Sequence, residues 1–146
     1  MRNNMDYTFS LKKGVYMKIK TGVDIIEVPR IQEVIERHGL LFLKKVYSTE
    51  EIVYCKNTGK MKYQHYAARF AAKEAVFKAI SDLIEYSKED IWKNIVIKNY
   101  KCGKPFVKFN GALEFLNTDK KIESMDLSLS HIKDYAIANF VMLINE

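Results

Sequence analysis

The sequence predicts an α+β fold in which a mostly antiparallel sheet packs against one long central helix. Three observations carry this. Tyr66 to Ile80 contains no Gly or Pro, has five Ala in its first ten positions and is built mostly of strong helix formers. Alternating strand patterns stand both before and after it. Strands and helices then mix without the regular βαβ rhythm that a parallel sheet requires.

In chain order, residues 1–16 show no clear period, and they precede a second plausible start at Met17. They are expected to be an N-terminal extension, irregular in structure, ahead of one domain spanning 17–146. Lys18 to Ile26 alternates, with Ile19, Thr21, Val23 and Ile25 on one face and Lys18, Lys20, Gly22, Asp24 and Ile26 on the other. Pro29 suits a first helical turn, Ile31, Val34 and Ile35 form its apolar stripe, and Gly39 stops it. Arg30 and Arg37, seven apart, share a face of that helix. Ser48-Thr49-Glu50-Glu51 is a capping-box pattern opening a short helix through about Cys55.

The central helix is expected from about Met61 to beyond Ile80. At about 100° per residue, Ala68, Ala71, Ala72, Ala75 and Ala79 fall on one side. Arg69, Lys73, Glu74 and Lys78 fall on the other, with Phe70 and Phe77 between. Trp92 leads into a strand from Asn94 to Tyr100, and Lys101-Cys102-Gly103-Lys104 turns it into a second, Pro105 to Phe109. Ala112 to Leu116 reads as a short helix. Asp126 to His131 and Tyr135 to Ile144 read as a second hairpin.

Composition sets the class. With 48% hydrophobic and 29% charged residues and two Pro, the chain is globular rather than disordered. No apolar run approaches the roughly 20 residues of a membrane helix, and no signal-peptide core is visible. Cys55 and Cys102 lack metal-site spacing and make no disulfide framework, so both are expected as buried or free thiols in a reducing compartment, the cytoplasm. The net charge of +6 and a pI near 9.2 suggest an anionic partner: a nucleic acid, a phosphorylated small molecule or an acidic protein. No long Lys/Arg block or common nucleic-acid motif favours the first.

Three groups of residues could carry chemistry: Asp24, the Lys73/Glu74/Lys78 cluster, and Ser128-Leu129-Ser130-His131. Two carboxylates with Lys and Arg match the needs of a magnesium-bound pyrophosphate, because Mg²⁺ takes one or two carboxylates and keeps other positions for water and phosphate oxygens. The plain structural reading stands beside it. Glu74 and Lys78 would then be an ordinary i,i+4 pair, Asp24 would be bonded to backbone or to an Arg, and His131 would be structural.

Gly22-Val23-Asp24-Ile25-Ile26-Glu27 with Arg30-Ile31, then Ala68-Arg69-Phe70-Ala71-Ala72-Lys73-Glu74-Ala75 with Lys78-Ala79, resembles the holo-[acyl-carrier-protein] synthase family. These are the small 4′-phosphopantetheinyl transferases. Gly103-Lys104-Pro105 and Leu127-Ser128-Leu129-Ser130-His131 with Tyr135-Ala136 extend the match in order, from about Lys18 to Leu143. The resemblance implies a phosphopantetheinyl transferase-like fold and transfer of the phosphopantetheine arm of coenzyme A to a serine of apo-acyl carrier protein for fatty-acid synthesis. It implies Mg²⁺ and a homotrimer with active sites between subunits, and neither a nucleic-acid nor a membrane partner. Asp24 and Glu74 would hold the metal. Glu74, Lys78 and Lys73 would be catalytic, the two lysines also contacting phosphates. Gly103, Lys104 and Pro105 would shape the nucleotide pocket, and Ser130 and His131 would lie near the coenzyme. Arg30 and Arg37 would face the acidic carrier protein. The serine's proton would go to a water near the metal or to Lys73.

Two departures stand out. Ser81-Asp82-Leu83 replaces the family's usual Gly-Thr-Gly-like turn, and Asp126 stands where the family often has His. The rival readings are a transferase serving a specialised carrier, a non-catalytic nucleotide- or RNA-binding module, and a paralogue that binds carrier without transfer.

Overall fold

A computed structural model describes residues 9–12, 14–85 and 90–146. Four strands form one antiparallel sheet in the order β1-β2-β6-β5: β1 (Phe9–Lys12), β2 (Val15–Glu27), β5 (Ile122–His131) and β6 (Tyr135–Asn145). A separate hairpin joins β3 (Ile95–Asn99) to β4 (Pro105–Phe109). The helices are α1 (Val28–His38), α2 (Leu40–Val46), α3 (Thr49–Lys56), α4 (Lys62–Ile80) and the single turn α5 (Ile91–Asn94).

The expected elements are present, with differences that have local causes. The N-terminal stretch is not wholly irregular: β1 pairs back on the start of β2, while residues 1–8 and 13 lie outside the described residues. Gly39 ends α1 as expected, but Leu40 to Val46 then coils again as α2 and buries Leu43 and Val46. Trp92 leads into the strand as expected, from within the single turn α5, and the strand begins at Ile95 instead of Asn94. The expected helix near Ala112 is a tighter 3-10 segment, Gly111–Asn117, closed by Asn117, whose side chain both donates to and accepts from the Phe109 backbone.

Helix α4 lies across one face of the sheet. Its alanines are almost fully buried, and there its C-terminal half meets Phe140, Met142, Leu127 and the β3–β4 hairpin. Its N-terminal half is covered by α1, α2 and α3 through Ile31, Leu43, Val46 and Tyr47. Even-numbered residues of β6 point inward and odd ones outward. The sheet's outer face carries Ile19, Val23 and Ile25 of β2 beside Tyr135, Ile137 and Val141 of β6, each between 40% and 63% exposed. An open face of this composition is larger and more apolar than scattered surface hydrophobics. The face of β2 turned toward α4 is the polar one, with Lys20, Gly22 and Asp24.

Candidate active site

The carboxylate pair is made by a close approach of α4 to β2. A Cβ placed on Gly22 would stand 1.7 Å from the Ala75 carbonyl oxygen, so no other residue fits there without moving the helix. That contact brings Glu74 and Lys78 beside Asp24. Lys78 Nζ donates to Asp24 Oδ1 at 3.0 Å and to the Val23 carbonyl at 2.8 Å. Burial raises the pKa of the Glu74 carboxyl, and the neighbouring negative charge of Asp24 raises it further, while Lys78 pulls the other way. A buried carboxyl raised by a neighbouring carboxylate, with the Lys78 cation bonded to that neighbour, makes a site that gains from a divalent ion. Among the described residues no cluster of three or more His, Cys, Asp or Glu is placed to hold a metal. A hard cation that takes two protein oxygens and fills its other positions from water or substrate therefore suits this donor set best.

Lys73, expected at phosphate, lies elsewhere. It is completely buried and donates to Glu51 Oε2 at 2.9 Å, to the Trp92 carbonyl at 2.8 Å and to the Ile95 carbonyl. All three of its N–H groups are thereby spent. Burial pushes its pKa down and Glu51 pulls it back up. Glu51 in turn accepts from Ser48 N, completing the capping box, and from Ile97 N at 2.9 Å. The lysine is thus a structural cation that fastens α4 to α3 and β3, neither facing a ligand nor free to take a proton.

The remaining expected residues fall in two further places. Gly103 turns the β3–β4 hairpin at φ +90°, a conformation that favours glycine. Its carbonyl accepts from Asn99, and Asn99 accepts from Arg69 at 2.8 Å, so a buried arginine of α4 fixes the turn. Lys104 and Pro105 then line a cleft of about 350 Å³ with Tyr100, Met125 and Leu127. Asp126, at the position where a His was expected, pairs with Lys104 at 2.8 Å across this cleft. That contact holds the Asp126 carboxyl below its usual range.

His131 ends β5, with its ring 5.2 Å from that of His65, which in turn lies 5.6 Å from Tyr54. The Arg69 guanidinium stacks 3.9 Å over Tyr54, and its buried Nε has no hydrogen-bond partner among the described residues. Burial, followed by the charges of Arg69 and His131, lowers the His65 pKa. Ser130 sits on the outer sheet face opposite Ile137. Arg30 and Arg37 are exposed on α1, with Arg37 held by Glu33 at 2.8 Å. Of the thiols, Cys55 is buried with its pKa pushed up to about 12, and Cys102 is exposed.

The sequence did not single out Glu51, His65 or Asn99 for these roles. Glu51 was visible only as a helix cap, and neither His65 nor Asn99 belongs to a recognisable pattern.

The sequence profile of the 4′-phosphopantetheinyl transferase superfamily matches residues 20–139. A holo-[acyl-carrier-protein] synthase of Ruminiclostridium cellulolyticum is 40% identical over 130 residues, covering 89% of this chain and 96% of its own. One from Chloroherpeton thalassium is 42% identical, covering 82% and 93%. Among solved structures, the Neisseria meningitidis holo-[acyl-carrier-protein] synthase aligns with a TM-score of 0.72 at 29% identity, covering 84% of this chain and 96% of that one. The Helicobacter pylori enzyme in complex with coenzyme A aligns at 0.68 and 31%, covering 84% and 98%. A match this long, over the residues that build the carboxylate pair, the hairpin cleft and the histidine at the end of β5, means that the chain belongs to the 4′-phosphopantetheinyl transferase superfamily.

Proposed function

We propose that this chain is a holo-[acyl-carrier-protein] synthase: it moves 4′-phosphopantetheine from coenzyme A to a serine of apo-acyl carrier protein and releases adenosine 3′,5′-bisphosphate. The observation that carries the reading is the Asp24/Glu74 pair, with Lys78 between strand and helix, in a chain of this family. Asp24 and Glu74 hold Mg²⁺, which when bound offsets charge on the coenzyme's diphosphate. Lys78, half-exposed, exchanges Asp24 for a phosphate oxygen and stabilises charge that builds there during transfer. Lys73 has no free N–H and no route to solvent, which leaves a water at the Asp24/Glu74 site to take the serine's proton.

Gly103, Lys104 and Pro105 wall the nucleotide pocket, and Ser130 and His131 border the coenzyme. Arg30 and Arg37 face the acidic carrier protein, consistent with the chain's +6 charge, which speeds encounter with such a partner. The protein works in the cytoplasm, in fatty-acid synthesis. Its active form is a homotrimer with sites between subunits. Two features support that assembly. The outer sheet face is apolar and open. The Asp24 site lies on β2, whereas the Lys104 cleft lies beyond β5, two strands away in the same chain.

Intact-mass measurement of apo-acyl carrier protein mixed with this protein, coenzyme A and Mg²⁺ tests the reading, with a chelator control. The expected result is the gain of one phosphopantetheine, lost on chelation. Asp24→Asn and Glu74→Gln are each expected to slow transfer by about a thousandfold or more, with the fold retained. Undiminished transfer by the double variant would remove the metal assignment. Coenzyme-independent, salt-sensitive RNA binding with no transfer would replace the enzyme by a binding module.

A further inference from the structure

Beside the carboxylate pair, an open groove of about 380 Å³ runs between β2 and the turn after α4, lined by Lys20, Thr21, Lys78, Ser81 and Asp82. Lys20 stands on the same β2 face as Gly22 and Asp24. Its side chain is only 9% exposed. Among the described residues its ammonium has one ion-pair partner, Asp82, in the turn that departs from the family's glycine-rich pattern. Asp82 is 62% exposed, and its hydrogen bond to Lys20 holds its carboxyl below the usual range.

The asymmetry within this pair is informative. The cation is already desolvated in the groove wall, and that cost is carried by the fold, so an incoming anion meets a charge fixed in place. The anion lies at the surface, where solvent compensates its departure. Lys20 and Lys78 therefore form two cations in one groove, each held in the free protein by a single carboxylate. A ligand with two or more phosphate charges can displace both carboxylates together.

We infer that Lys20 is a second phosphate-binding residue of this groove, with Asp82 as the counter-ion it releases when a phosphorylated ligand binds. The inference rests on the coenzyme reading above and assigns Lys20 to one of coenzyme A's phosphates.

Calorimetric titration of the full chain with coenzyme A, and separately with 3′-dephospho-coenzyme A, tests it. Lys20→Met is expected to weaken coenzyme A binding by about tenfold, as loss of one charge-assisted contact implies. Lys20→Arg should keep most of the affinity. Asp82→Asn, a surface change, should tighten binding by about threefold because the competing anion is gone. If Lys20→Met weakens both ligands equally, Lys20 meets the diphosphate. If only coenzyme A is weakened, it meets the 3′-phosphate, and either result supports the assignment.

Equal weakening by Lys20→Met and Asp82→Asn, with parallel falls in Tm, would overturn it and make the pair a structural latch. So would unchanged affinity in Lys20→Met, with the coenzyme reading still standing. A wild-type chain that binds neither coenzyme would remove both the reading and the inference. Should Lys20→Met fail to fold, the opposite signs expected for Asp82→Asn and for a latch still decide the matter.

Discussion

Lys73 and Lys78 sit five residues apart on α4, one 2.9 Å from Glu51 and the other 3.0 Å from Asp24. By distance the pairs are equivalent; by surroundings they are opposites. Lys73 and Glu51 are sealed from water, and every remaining donor and acceptor is occupied by backbone. Lys78 is half-exposed, and Asp24 opens onto the site with a carboxylate neighbour. The first pair gains little net free energy from its charge, since desolvation offsets attraction, but neither partner can be removed alone. The second is half open to solvent, where an ion pair contributes little, and it is the pair that the proposed reaction exchanges for a ligand. Distance alone therefore does not separate a structural ion pair from a functional one. Burial and the partners of the remaining lone pairs do.

Unfolding free energies in urea would test this contrast. Lys73→Met leaves Glu51 charged and buried, and the expected loss is about 3–5 kcal/mol. Adding Glu51→Gln should recover part of it, because the two sites share one network. A loss below about 1 kcal/mol would erase the distinction drawn between the pairs.

Gly22→Ala probes the mounting of the functional pair. The clash with Ala75 should cost about 1–3 kcal/mol by forcing the helix off the strand. Transfer should fall further than the unfolded fraction explains, since Glu74 moves away from Asp24. Normal transfer in a folded Gly22→Ala protein would show that the approach does not set the site. Lys78→Met should change stability least, by about 0–1 kcal/mol, while transfer is largely lost. A stability loss matching that of Lys73→Met would make both pairs structural.

Much of the fold was legible because its signals are local. The Ala-rich run gave α4, the Ser48–Glu51 spacing gave the start of α3, and the Gly103 turn gave the β3–β4 hairpin. Strand alternation and helical spacing picked out Asp24, Glu74 and Lys78 as candidates, but only the family resemblance implied that they share a site; the structure brings Lys78 against Asp24.

Depth was not legible. A helical wheel put Arg69 and Lys73 on a charged side, but that side is buried near the middle of α4 under α3, α5 and β3, and the periodicity of one segment says nothing about what covers it. Strand alternation likewise separated the two faces of β2 without telling which meets the helix. The apolar one proved to be the outer face, contrary to the usual pattern for a sheet with one covered side. Lys20 escaped notice for the same reason, since its partner lies 62 residues away.

Glu51 has a consequence for the order in which this protein comes apart. One carboxylate closes the first turn of α3 through Ser48, anchors Lys73 of α4 and accepts the amide of Ile97 at the heart of β3. An opening that moves Glu51 unpairs both amides and leaves the Lys73 charge buried without its carboxylate, so the three segments should breathe as a single unit. In hydrogen exchange, the Ser48 and Ile97 amides would then report one common protection free energy although they stand 49 positions apart in the chain.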